Sequence, residues 1–148
     1  MNKYERINRP LSEVFSKLLV DFAKMAENGE EEKIMILMAR EIWNISYFDP
    51  KIQQKEIEEF VISLGVDRLK QDKYRSLMAE GVIKKKNATK NIDISDVWTR
   101  VENLKVRKVK GHYITEFEFD YYEWFGVNVE LRIRFEKPST EVNDYDRE

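Results

Sequence analysis

Apolar side chains recur with a helical period over the first part of the chain and with a period of two after about residue 104. Leu11, Val14, Phe15, Leu18, Leu19, Phe22, Met25 and Ala26 follow the i, i+3, i+4, i+7 rule. Asn8 offers a cap before them, Pro10 suits a first turn that needs no N–H, and Gly29 offers a stop. Those residues predict a first helix. A second begins with Glu30, Glu31 and Glu32, acidic side chains at the positive end of a helix dipole. It carries Ile34, Leu37, Met38, Ile42 and Ile45, with Met35, Ala39 and Trp43 as a second stripe. Apolar residues cover most of its circumference, which predicts the central, most buried helix.

Asp49-Pro50 opens a third helix, whose stripe is Ile57, Phe60, Val61 and Leu64 and whose end is Gly65. Asp67 caps a fourth, with Tyr74, Leu77, Met78 and Val82 on one side. Residues 84–91 hold three consecutive lysines and no large apolar side chain, and read as a solvated connector. Residues 92–103 fit either a short helix capped by Ser95 or an extension of the following strand, with strand favoured from about residue 100.

Beyond that point Tyr113, Thr115, Phe117 and Phe119 alternate with Ile114, Glu116, Glu118 and Asp120. Val127, Val129, Leu131, Ile133 and Phe135 alternate with polar residues in the manner of a half-buried strand. Gly111-His112 predicts a two-residue type II′ turn, with Val106 opposite Phe117 and Leu104 opposite Phe119. The fold class predicted is α+β: an N-terminal bundle of about four helices packed on a C-terminal antiparallel β-meander of three to four strands. The layout is one domain over residues 1–137, with a helical part at 8–86, the connector at 84–91 and a β part at 92–137. An acidic, flexible tail over 138–148 follows.

Composition narrows the chemistry. The chain has 148 residues, no cysteine and one histidine. No disulfide framework, thiol nucleophile or thiolate metal site can be built. With His112 alone, a histidine-rich metal site is excluded too. Eighteen aromatic residues support a sizeable core. The first residues lack an apolar stretch behind them, and the longest apolar run, Ile34–Ala39, is too short to span a bilayer. A cytoplasmic protein without a membrane partner is expected. No phosphate loop, dinucleotide fingerprint, EF-hand or H-E-x-x-H pattern occurs, so no cofactor is called for.

Several constellations invite a functional reading. Tyr121, Tyr122, Trp124 and Phe125 crowd the connection between two strands, where a solvated loop would be polar. They suggest an interaction surface for a partner protein or a homo-oligomer, or a loop folded over the end of the core, or strands that extend through the segment with a bulge. Residues 67–90 hold eight basic and three acidic side chains, while residues 1–66 sum to −3 and residues 91–148 to −4. Arg68, Lys70, Lys73, Arg75, Lys84, Lys85 and Lys86 are the candidate phosphate contacts of a nucleic-acid-associated regulator, the alternative function. The helix-turn-helix outline around residues 64–77 fits poorly, because the second helix is about a turn too long and its cations alternate with acids. Glu116, Glu118 and Asp120 share a strand face and could serve acid–base chemistry or a cation, but Lys105, Arg107, Arg132 and Arg134 stand ready to neutralise them. His112 reads as an exposed turn residue, and Met25, Met35, Met38 and Met78 as core fillers. No catalytic residue is assigned. The function expected is non-enzymatic interaction, exercised through residues 121–125.

Overall fold

The computed structural model describes residues 2–93, 97–125 and 128–136. Four helices precede three strands: α1 (Lys3–Lys24), α2 (Gly29–Ile45), α3 (Pro50–Ser63), α4 (Arg68–Thr89), β1 (Val97–Val109), β2 (His112–Phe125) and β3 (Asn128–Glu136). The expected α+β arrangement of N-terminal helices and an antiparallel meander is the one observed. Among the described residues no helix is long and apolar enough to cross a membrane. The tail proposed for 138–148 and the Ser95 cap lie outside the described residues.

The helices start where side chains can satisfy free backbone N–H groups. Asp49 accepts from the N–H groups of Lys51 and Ile52, and Asp67 from that of Lys70. The first helix differs from its prediction. Asn2, not Asn8, is the cap, accepting from the Glu5 N–H at 2.9 Å. Pro10 lies inside the helix and leaves the Arg6 carbonyl without its intrahelical donor. What carries the helix past the proline is its apolar face: Tyr4 and Ile7 continue the stripe of Leu11 and Phe15 onto the core. Gly29 also changes role. It opens α2, and Asn28 caps it. The acidic first turn of α2 is as expected, and the helix is central, touching α1, α3, α4 and β1. Met35, Met38 and Met78 are fully buried, whereas Met25 is exposed beyond the end of α1.

No connector separates residues 84–91 from the fourth helix, because α4 runs on to Thr89. Its inner stripe is Tyr74, Met78, Val82, Lys85 and Thr89, all buried. Gly81 lies on the same side, and a Cβ there would sit 2.5 Å from Ile42 Cδ1 and 3.0 Å from Phe22 Cζ. A side chain at this position would require the buried Ile42 and Phe22 side chains to shift.

The sheet order is β1-β2-β3. The first hairpin turns at Lys110-Gly111, both with positive φ (53° and 81°), one residue earlier than expected. Positive φ at both central positions marks a type I′ turn, so Val106 pairs with Thr115 rather than Phe117. His112 is accordingly the first residue of β2, opposite Val109, and not a turn residue. A bulge then places Asn103 and Leu104 opposite the single residue Phe117, with Asn103 in the left-handed region at φ 54°. Beyond it Val101, not Leu104, pairs with Phe119. Leu104, Val106 and the residues of β2 stay on their expected faces, since the first shift is by two positions.

Phe117, Phe119, Tyr113, Thr115 and Tyr121 form the buried face of β2. Phe15 meets Phe117 edge-on at 5.0 Å between ring centroids, and Trp43 stacks on Phe119 at 5.4 Å. Asn44 secures the outer edge of β1: its Oδ1 accepts the Val101 N–H at 2.8 Å and its Nδ2 donates to the Val101 carbonyl at 3.4 Å. An edge strand otherwise offers those groups to another chain.

Candidate functional site

The ends of α2 and α4 converge with the start of β1 and the end of β2. Between them lies a cleft of about 600 Å³, lined by Ser46, Tyr47, Lys85, Lys86, Thr89, Lys90 and Trp124 among others. Each wall is held locally. Ser46 Oγ donates to the Trp43 carbonyl at 2.7 Å, and Gln53 Nε2 donates to the carbonyl of Phe48 at 2.8 Å, fixing the turn after α2. Tyr47 shares a short hydrogen bond with Thr99 Oγ1, which also accepts from Trp43 Nε1 at 2.9 Å. Burial drives the Tyr47 phenol pKa up strongly. Thr89 Oγ1 bonds back to the Lys85 carbonyl at 3.0 Å.

Lys85 is the unusual member. It is 3% exposed. Its Nζ lies 3.6 Å from the centroid of the Tyr47 ring and 4.7 Å from that of Trp43. Desolvation, with a smaller contribution from Lys86, lowers its pKa to about 7. The opposite case stands on the first turn of α2. Glu31, also buried, accepts from Tyr74 Oη at 2.7 Å, from Lys70 Nζ at 2.9 Å and from the Glu27 N–H at 2.9 Å. Hydrogen bonds from Tyr74 and Lys70 hold its pKa down at about 2, against the opposing effect of burial.

A second feature adjoins the cleft on the outer face of the sheet. In β3 Arg132 is the extra residue of a bulge, since Tyr121 faces Ile133 and Tyr122 faces Leu131. This bulge reverses the strand's alternation. Ile133 and Phe135 still pack on the core, but Leu131 turns outward and is 52% exposed. It joins Tyr122, Trp98 and Trp124. Trp98 lies 5.1 Å from Tyr122 and stacks on Trp124 at 6.0 Å and 15°.

The aromatic segment is therefore strand, not loop. Tyr121 is inside the core, its ring edge-on to Tyr4 at 5.6 Å and its hydroxyl donating to Asn8 Oδ1 at 2.7 Å. Tyr122 is partly exposed and Trp124 is 53% exposed. Phe125 closes β2, and its side chain lies outside the described residues. The sequence offers Trp98 only as a residue the aromatic segment could fold onto, and it places Leu131 on the buried face of its strand. The first pairs directly with Tyr122, and the second is placed by a bulge that alternation does not reveal.

The seven basic candidates scatter. Lys70 and Lys73 face Glu31 at 2.9 and 3.6 Å. Arg75 forks onto Glu58 and also reaches Asp72 at 2.7 Å. Lys85 is buried, and Arg68, Lys84 and Lys86 are exposed. The acidic row is divided as well. Glu116 is exposed, Glu118 accepts from Asn103 Nδ2 at 2.9 Å, and buried Asp120 accepts both Nε and Nη2 of Arg134, the latter at 2.8 Å. Among the described residues no group of three metal-binding side chains converges.

Set against protein-family models, curated proteins and solved structures, the chain has no significant match in any of the three.

Proposed function

We propose that this chain is a small interaction module that associates with a second copy of itself through the outer face of its sheet. The observation that carries this reading is the outward turn of Leu131 at the Arg132 bulge, which completes an apolar surface with Trp98, Tyr122 and Trp124. Large aromatic side chains anchor interfaces, and solvent is a poor environment for four apolar side chains on neighbouring strands. The surroundings suit a copy of the same surface. Arg100 with Glu102, and Arg134 with Glu118 and Asp120, place both signs of charge beside the patch, so a two-fold partner need not meet like charge.

The patch is small. A stable interface buries about 800 Å² on each partner. Two half-exposed and two partly buried side chains fall short of that, so the association is weak and concentration-dependent. The alternative of a phosphate-contacting face has less support, because Lys70, Lys73 and Arg75 already have carboxylate partners and Lys85 is buried.

Sedimentation velocity over about 10 μM to about 1 mM tests the reading. The weight-average mass of the wild type should rise with concentration. The Tyr122→Ser/Trp124→Ser variant should keep its circular dichroism spectrum and remain monomeric. A wild type that stays monomeric across that range contradicts the proposal.

A further inference from the structure

Lys85 is a buried amine that has no counter-ion among the described residues. Among the described residues its Nζ makes no hydrogen bond or ion pair, and what it meets is the faces of Tyr47 and Trp43. Among the described residues the charged groups around it come from α4, from α1 and from the chain after α4, and none bonds to the amine. On α4 they are Lys84, Lys86 and Lys90. On α1 they are Lys17 and Asp21, which pair with each other at 2.9 Å. After α4 comes Asp93, which lines the same cleft and is not among the groups that act on the Lys85 amine. Removing an ammonium from water without such a partner favours the neutral amine. The pKa of about 7 agrees with that geometry.

A neutral lysine amine is a nucleophile toward carbonyl carbon. This one lines a cleft of about 600 Å³, a volume that suits a small molecule. Tyr47 and Trp124 give the cleft flat apolar surface, and the exposed Lys86 and Lys90 stand on the same lining. We propose that Lys85 captures small aldehydes or ketones as imines, and that Lys86 and Lys90 recognise a carboxylate or phosphate on the same ligand.

The step balances without an oxidant or reductant. The Nζ lone pair forms a C–N bond as the carbonyl π pair moves to oxygen, and a proton passes from nitrogen to that oxygen through water. The carbinolamine then loses its hydroxyl group and the remaining Nζ proton as one water, leaving the imine. Tyr47 and Trp43 hold the amine in place, and burial leaves about half of it unprotonated at pH 7.

The proposal is tested on the full chain with glyoxylate and with propanal, each followed by cyanoborohydride reduction and peptide mapping by mass spectrometry. Both aldehydes should label Lys85 at least about tenfold faster than Lys84 at pH 7.5, with the rate falling as pH drops below about 7. The Lys86→Gln/Lys90→Gln variant, folded by circular dichroism, should slow glyoxylate several-fold more than propanal, which loses only the small contribution of Lys86 to the lowered pKa of Lys85. Labelling of Lys85 no faster than Lys84 overturns the nucleophile. Equal slowing of both aldehydes, or of neither, overturns the anion recognition. Neither result depends on self-association, since the Tyr122→Ser variant should label as the wild type does.

Discussion

Glu31 and Lys85 are both buried charges on the contact between α2 and α4, and they are treated in opposite ways. Glu31, at the start of that contact, has a phenol, two ammonium groups and a backbone N–H around one carboxylate. Lys85, near the other end, has two aromatic rings and, among the described residues, no carboxylate partner. The first arrangement keeps the charged form and ties two helices together. The second favours loss of the charge. A charge that is fully answered by its surroundings belongs to the architecture, whereas one left unanswered beside a cleft is chemically available.

Gly81 lies between the two and offers the strongest way to break the comparison. A Gly81→Val side chain meets Ile42 and Phe22 at once, forcing α4 away from α2. We expect a loss of about 3 kcal/mol or more in urea unfolding, with both buried charges exposed together. Glu31→Ala should cost about 2–3 kcal/mol, because it strands Tyr74 and Lys70. Its pH signature is distinct. The folded pKa, about 2, lies below the usual carboxylate value, so Glu31 contributes fully above about pH 4.5 and loses that contribution as pH falls toward 2. Glu31→Gln should flatten that part of the stability curve measured by urea unfolding.

Lys85→Met should act with the opposite sign and stabilise the fold by about 1–2 kcal/mol at pH 7, measured as a rise in thermal midpoint. The unfolded chain binds more protons at this residue between pH 7 and about 10.5, so wild-type stability should rise across that window, and the variant should lose the rise. The smallest effect belongs to Lys84→Met, on the exposed side of α4. It should change stability by no more than about 0.5 kcal/mol and leave the pH dependence intact.

The same contrast explains what could be read from the amino acids. Asp49-Pro50 and Asp67 announced their helices because the capping group is the side chain itself. The apolar stripe of α1 is equally visible, but Pro10 resembles a start signal and masks the continuation of the stripe upstream through Tyr4 and Ile7. At Lys85 residue type masked position: three lysines in a row resemble a solvated connector, yet the spacing Tyr74, Met78, Val82, Lys85, Thr89 is that of one helix face. Turn chemistry misled in a related way. Gly111 suggested a glycine-first turn, whereas Lys110 adopts positive φ ahead of it. The outer patch was only half legible. Tyr122 and Trp124 stood out by composition, but Leu131 reaches them through a bulge fixed by pairing with β2, and strict alternation gives no sign of it.

The most direct measurement of the contrast is the titration of Lys85 followed by NMR at its ¹³Cε, assigned by comparison with Lys85→Met. A midpoint near the value of about 7 is the expected result. A midpoint at the ordinary lysine value of about 10.4 would mean that the amine has a counter-ion or free access to water, and would contradict the account.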